Sequence, residues 1–175
     1  MLMTAEPSKT VSHAINQRDL RTALGQFATG VTTIVTRDAT GALTGLTANS
    51  FTSVSLDPPL VLWSLRRAAR SYEAFRNCGY FVINVLAEHQ VSVAQQFSAR
   101  TGDRFSGISW TPSPVSKLPI IDSVAAWFEC KNLNVYEAGD HTIFVGEVCR
   151  FAHEERAPLL FHAGAYAQSD RFRLS

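Results

Sequence analysis

Gly45 to Leu65 reads GLTANSFTSVSLDPPLVLWSL. Hydroxylated and apolar residues run up to the Asp57-Pro58-Pro59 break and resume after it. The segment therefore predicts two strands that meet at the break, because proline has no N–H to give to a ladder. Thr47, Asn49, Ser50, Thr52, Ser53 and Ser55 place six hydroxyl or amide side chains within nine positions, and no charge follows until Asp57. Strand alternation puts Ser53 and Ser55 on one face and Val54 and Leu56 on the other, which predicts one core face and one polar, uncharged face. A solvated sheet face would carry Lys, Glu and Arg. Short neutral side chains instead let a flat ligand approach the backbone, where N–H and C=O groups can read a heteroaromatic rim. The same residues fit a Ser/Thr-rich edge strand with Asx-type turns.

The flanking sequence extends the β pattern. Residues 31–37 (VTTIVTR) and 43–48 (LTGLTA) are β-branched runs joined through Asp38–Ala42, a hairpin signal with Gly41 in the turn. Residues 80–86 (YFVINVL) predict another strand, and 125–136 and 141–151 predict a long hairpin across Glu137-Ala138-Gly139-Asp140. Three short helices are expected. The first is capped by Asp19 and runs to about Phe27 with Leu20, Ala23, Leu24 and Phe27 on one apolar face; the others cover 71–77 and 88–99. Residues 1–17 are polar and aperiodic, which predicts a flexible arm, and 18–175 form one domain closed by the tail PLLFHAGAYAQ. Many strands, hairpin connections and few helices predict a mainly β, antiparallel barrel and not a βαβ repeat.

Composition narrows the function. The 175 residues carry 16 Lys and Arg against 15 Asp and Glu, with the basic residues scattered, which argues against nucleic acid and membrane surfaces as partners. Charged residues make up 18%, below the roughly 25% of an average soluble domain, which favours a surface covered by another subunit. Cys78, Cys130 and Cys149 are widely spaced, with no C-x-x-C pair or zinc set, and read as reduced thiols in a cytoplasmic protein. No export signal or membrane span is expected, and no metal site. G-x-G-x-x-G after a strand, G-x-x-x-x-G-K, G-x-S-x-G and H-E-x-x-H are all missing. His141, flanked by Asp140 at a hairpin mouth, is the histidine with a setting for chemistry, either neutral or ionised.

Phe27-Ala28-Thr29-Gly30-Val31-Thr32-Thr33, the run Gly45–Val61, Gly139-Asp140-His141-Thr142 with Gly146-Glu147-Val148, and Pro158-Leu159-Leu160-Phe161 together resemble the short-chain flavin reductases of two-component flavin monooxygenases. The resemblance runs from about residue 19 to 168. It implies an antiparallel split β-barrel of Greek-key type, usually a homodimer. It also implies a hydride transferred from NADH or NADPH to FAD or FMN, and reduced flavin passed to a separate oxygenase. The neutral polar file then corresponds to the flavin cradle: Thr47, Ala48, Asn49 and Ser50 along the isoalloxazine, Ser53, Val54 and Ser55 toward the ribityl and phosphate, and Thr32, Thr33 and Ile34 bordering from the neighbouring strand. Ser64, Ser71 and Tyr72 would hold the phosphate end, with Arg66, Arg67 and Arg70 beside a helix start. His141 would meet the dinucleotide, with Arg21 and Tyr166 beside it. The alternative is a flavin-binding electron carrier without nicotinamide turnover.

Overall fold

The structure, a computed structural model, describes residues 15–169. Most of the expected N-terminal arm and the last six residues lie outside that range. In chain order the elements are α1 (Gln17–Leu24), β1 (Thr29–Gly30), β2 (Thr32–Arg37), β3 (Leu43–Ala48), β4 (Thr52–Leu56), β5 (Pro59–Arg66), α2 (Tyr72–Asn77), β6 (Tyr80–Val85), α3 (Val91–Ser98), β7 (Trp110–Pro112), β8 (Pro119–Ile121), β9 (Ala126–Ala138), β10 (His141–His153), β11 (Leu160–His162) and β12 (Ala165–Ala167). Seven strands form one antiparallel sheet in the order β3-β2-β6-β9-β10-β5-β4. Its two edges, β3 and β4, are consecutive in sequence, so the chain closes the barrel on itself. A second sheet, β1-β11-β12, and the small β7-β8 pair lie outside it. The expected mainly β fold with short helices is what the chain adopts.

Alternation along β2, β5 and β10 sends one set of side chains inward. Ile34, Val61, Trp63, Leu65, Phe75, Phe81, Ile83, Cys130 and Phe144 form the barrel core, where Trp63 stacks on Phe144 at 4.6 Å between ring centroids and meets Phe75 edge-on at 4.9 Å. Gly146 belongs to this core for a steric reason: a Cβ there would lie 2.5 Å from the Phe81 ring. The opposite faces of β2 and β6 carry Val35 and Val82 into a second cluster with Ala94 and Phe97 of α3, Leu118, Ile121 and Leu159.

Glu129 is buried on β9, and its carboxylate is caged by residues 113–116. Oε1 accepts from Ser113 Oγ at 2.5 Å, Ser116 N at 2.6 Å and Ser116 Oγ at 2.6 Å, and Oε2 accepts from Val115 N at 3.1 Å. Burial pushes this carboxyl up, but the hydroxyl and amide donors outweigh it and hold the group below the ordinary carboxylate range.

Two expectations need correction. Asn16, not Asp19, caps α1, because its Oδ1 accepts from the N–H groups of Arg18 and Asp19, and the helix stops at Leu24 before Gly25. None of its residues is buried, Leu24 being 65% exposed, and Phe27, expected on its apolar face, lies beyond its end and is 78% exposed. The alternation expected in β4 also fails. A register shift between Ser53 and Ser55 sets two residues against one on β5, and Val54 and Leu56 stand 50% and 93% exposed instead of in the core.

Candidate active site

The polar file acquires its geometry from Ser50. Its Oγ donates to the backbone C=O of Ser64 at 3.1 Å and accepts the Ser64 N–H at 3.0 Å, so one hydroxyl clasps the β3–β4 turn to the middle of β5. Ser64 is opposite Ile143 on β10, and Arg66 two residues on is opposite His141. At about 3.3 Å per residue, the clasp and His141 lie within two rungs of one another along the β5–β10 ladder. The Ser50 clasp and Ser64, next to exposed Asn49, thus form an uncharged strip that leads along β5 to the hairpin mouth bearing His141.

The hairpin mouth is tied down by charge. Gly139 takes φ +63°, as the tight reversal between Ala138 and His141 requires. His141 Nδ1 lies 2.7 Å from Asp140 Oδ1, and Asp140 Oδ2 lies 3.6 Å from Arg66 Nε. The Asp140 carboxyl sits below its ordinary value, first through the hydrogen bond to His141 and further through the charges of His141 and Arg66. Glu137 receives Arg67 at 3.4 Å and Arg76 at 3.8 Å. Below it, Tyr72 OH and Thr142 Oγ1 share a buried hydrogen bond of 3.1 Å.

These contacts revise several expected roles. Thr47 commits its hydroxyl hydrogen to Ala94 O of α3 at 2.6 Å, which leaves its oxygen only as an acceptor. Thr32 is buried and donates to Ala48 O at 2.8 Å, while Thr33 and Ile34 are fully buried and Ala48 faces the barrel core. All four are buried in the single chain. Tyr72 is buried under the hairpin, since its hydroxyl is taken by Thr142 and Arg76, which removes it from the expected phosphate end. Arg66 and Arg67 pair with hairpin carboxylates and do not gather around Ser71. Arg70 and Ser71 do line one cavity of about 400 Å³ with Arg37, Asp38 and Thr44, although Arg70 Nη1 also donates to Arg100 O at 2.6 Å. Ser53 stays exposed and Ser55 is half-buried.

Arg21 and Tyr166 are not joined to His141 within the chain. Arg21 lines a cavity of about 490 Å³ between α1 and the β11–β12 turn, and Tyr166 packs edge-on against Phe161 at 5.6 Å in the outer sheet. Sequence reasoning named Asp140 only as a neighbour of His141, not as the partner of its ring, and passed over Glu129 with its serine cage. The signal for the second was a lone acid in the apolar run AWFEC, matched by the donors of SPVS upstream.

A family model described as a flavin reductase like domain matches residues 24–170. The chain is 44% identical over 164 residues to a probable flavin reductase of Rhizobium meliloti (strain 1021), covering 94% of this chain and 50% of that protein. It is 42% identical over 156 residues to the FMN reductase (NADH) SmoA of Agrobacterium fabrum (strain C58 / ATCC 33970), covering 89% of this chain and 88% of that one. It thus spans about half the length of the first relative and most of the second. The NADH:FAD oxidoreductase SgcE6 of Streptomyces globisporus C-1027, solved in complex with NAD and FAD fragments, superposes with a TM-score of 0.83 at 34% identity over 94% of this chain and 98% of that one. The matched segment runs from the end of α1 past β12 and holds both the polar strip and the His141 hairpin, and the chain belongs to the flavin reductase like domain family.

Proposed function

We propose that this chain is an NAD(P)H:flavin oxidoreductase that supplies reduced flavin to a partner oxygenase. The observation that carries this is the Ser50–Ser64 clasp, which sets an uncharged, small-residue strip beside a hairpin bearing His141. A flavin fits the strip: Asn49 is exposed at its end, the clasp keeps the Ser50 hydroxyl flat against β5, and no large side chain from 47–50 stands over it. Asn49 and the strand-edge amides would hold the ring's polar rim, Ser53, Ser55 and Ser64 would flank it, and Arg70 and Ser71 would take the anionic end. Bound there, FAD or FMN supplies the acceptor for hydride from NADH or NADPH, with reacting atoms about 3–3.5 Å apart. The chain contributes placement, the exclusion of water and His141 on the dinucleotide side.

The working unit is a homodimer. Support comes from apolar surface that the single chain leaves open, at Leu24 of α1, at Phe27 just beyond it and at Leu56 of β4. Light scattering of Leu24→Asp/Phe27→Asp against the parent tests this, with a parent mass of 19.2 kDa for the assembly as the refuting result. Three free thiols at Cys78, Cys130 and Cys149 suit a reducing compartment, consistent with a cytoplasmic protein. None of the described helices is long and apolar enough to cross a membrane.

Steady-state oxidation of NADH and NADPH, each with FAD and with FMN, tests the activity and assigns both cofactors. Dinucleotide should be consumed only when flavin is supplied or retained. A folded chain that binds flavin but never reduces it with either dinucleotide is the alternative electron carrier, and would end the reductase reading.

A further inference from the structure

Asp140 occupies the turn between Gly139 and His141, and its two oxygens reach different elements. Oδ1 meets His141 Nδ1 at 2.7 Å, and Oδ2 meets Arg66 Nε at 3.6 Å across the rung on which His141 and Arg66 are paired. The backbone C=O of Asp140 also accepts the Arg67 N–H at 3.0 Å, which fixes the turn from which the carboxylate projects. Glu137 is engaged with Arg67 and Arg76, so Asp140 is the carboxylate on the imidazole. A carboxylate in its ionised form only accepts hydrogen bonds, and His141 Nδ1 must therefore carry the hydrogen. In a neutral ring the other nitrogen, Nε2, is then a lone-pair acceptor.

We propose that Asp140 is the positioning residue of the hydride half-reaction: its Oδ1 holds His141 in the Nδ1–H form, with Nε2 presented as an acceptor to a hydroxyl or carboxamide N–H of the nicotinamide dinucleotide. This rests on the reading that His141 meets the dinucleotide. It specifies what the sequence left open, because a donor at Nε2 would require the imidazolium. Protonation of the ring would turn that acceptor into a donor. The charged groups bearing on it are Asp140 in the turn, Arg66 and Arg67 at the end of β5, Glu137 on β9 and Arg76 on α2.

The test compares the full chain with Asp140→Ala, Asp140→Asn and His141→Ala, varying NADH at saturating flavin, and adds ¹⁵N-histidine NMR of the wild type and Asp140→Ala. The proposal expects the wild-type resonance of a protonated Nδ1 and a bare Nε2, and a mixture of tautomers in Asp140→Ala. Asp140→Ala should raise KM for NADH about five- to tenfold with flavin affinity unchanged, while Asp140→Asn, whose amide oxygen can accept the same bond, restores most of the loss. A wild-type ring protonated at Nε2 overturns the proposal. So does an Asp140→Ala enzyme with unchanged KM and tautomer while His141→Ala is impaired. A His141→Ala enzyme with wild-type NADH kinetics refutes instead the dinucleotide role on which the proposal stands, and with it the proposal.

Discussion

Replacing Glu129 by glutamine should cost stability by an amount the cage itself sets. A glutamine carbonyl at the Oε1 position keeps the donors from Ser113 Oγ, Ser116 N and Ser116 Oγ. Each falls from a charge-assisted bond of about 1.5–3 kcal/mol to a neutral one of about 0.5–1.5 kcal/mol. The amide NH₂ then faces the Val115 N–H, donor to donor, and leaves a group unpaired at about 1–3 kcal/mol. A neutral amide is cheaper to bury than a carboxylate, which offsets part of this, and the net loss expected is about 2–4 kcal/mol out of the roughly 5–15 kcal/mol of an ordinary domain. Urea unfolding at neutral pH, followed through buried Trp63, reads the difference. The folded carboxyl titrates below its ordinary value of 4.5. Its stabilisation is therefore complete above that value and disappears as pH falls through the lowered one, so the gap between wild type and variant narrows in that acid window. A gap under about 0.5 kcal/mol at neutral pH, or one that does not narrow as pH falls below 4.5, would refute the cage as an energetic element.

Ser50→Ala removes both halves of the clasp and should lower stability by about 1–2 kcal/mol and weaken flavin binding together; fluorescence titration with FMN and FAD that shows unchanged affinity would detach the clasp from the site. Gly146→Ala drives a methyl into Phe81 and should cost about 1–3 kcal/mol, visible as a lower Tm with no change in KM for either substrate. Cys130 is pushed far up in pKa, first by burial and then by the neighbouring charges of Cys149 and Glu129, so native alkylation read by mass spectrometry should spare it until denaturant is added.

Much of the architecture was legible because strand signals are local. The β2–β3 hairpin around Gly41 and the long β9–β10 hairpin around Gly139 follow from alternating β-branched runs with a glycine in the turn. The apolar residues of β4 misled, because periodicity shows that Val54 and Leu56 are apolar but not that a register shift against β5 leaves them exposed. Residues 110–121 were illegible as strands: β7 and β8 are three residues each, and both include proline. In the site, residue type pointed to the right segment of chain but not to where each hydroxyl is spent. Thr32, Thr47 and Ser50 look alike in sequence, yet each is committed to a different backbone group at 14 to 47 positions' remove. Such long-range pairings are set by how the sheet curls. The Asp140–His141 contact was visible as adjacency, whereas the reach of Asp140 to Arg66 depended on the β5–β10 register.

The seam between β3 and β4 has a consequence for measurement. Inner strands such as β9 and β10 have hydrogen-bonded neighbours on both sides, whereas the sheet ends at β3 and β4, where a serine hydroxyl bridges the gap to β5. Amides of the inner strands should exchange with deuterium last and those of the seam first. A flavin lying along the seam would act as a removable staple, adding about 2.7 kcal/mol at a concentration of 100 times its Kd. Melting temperature would then report cofactor occupancy directly, and a plate of flavins and flavin fragments could be ranked by heat alone, with no dinucleotide, oxygenase or turnover in the well.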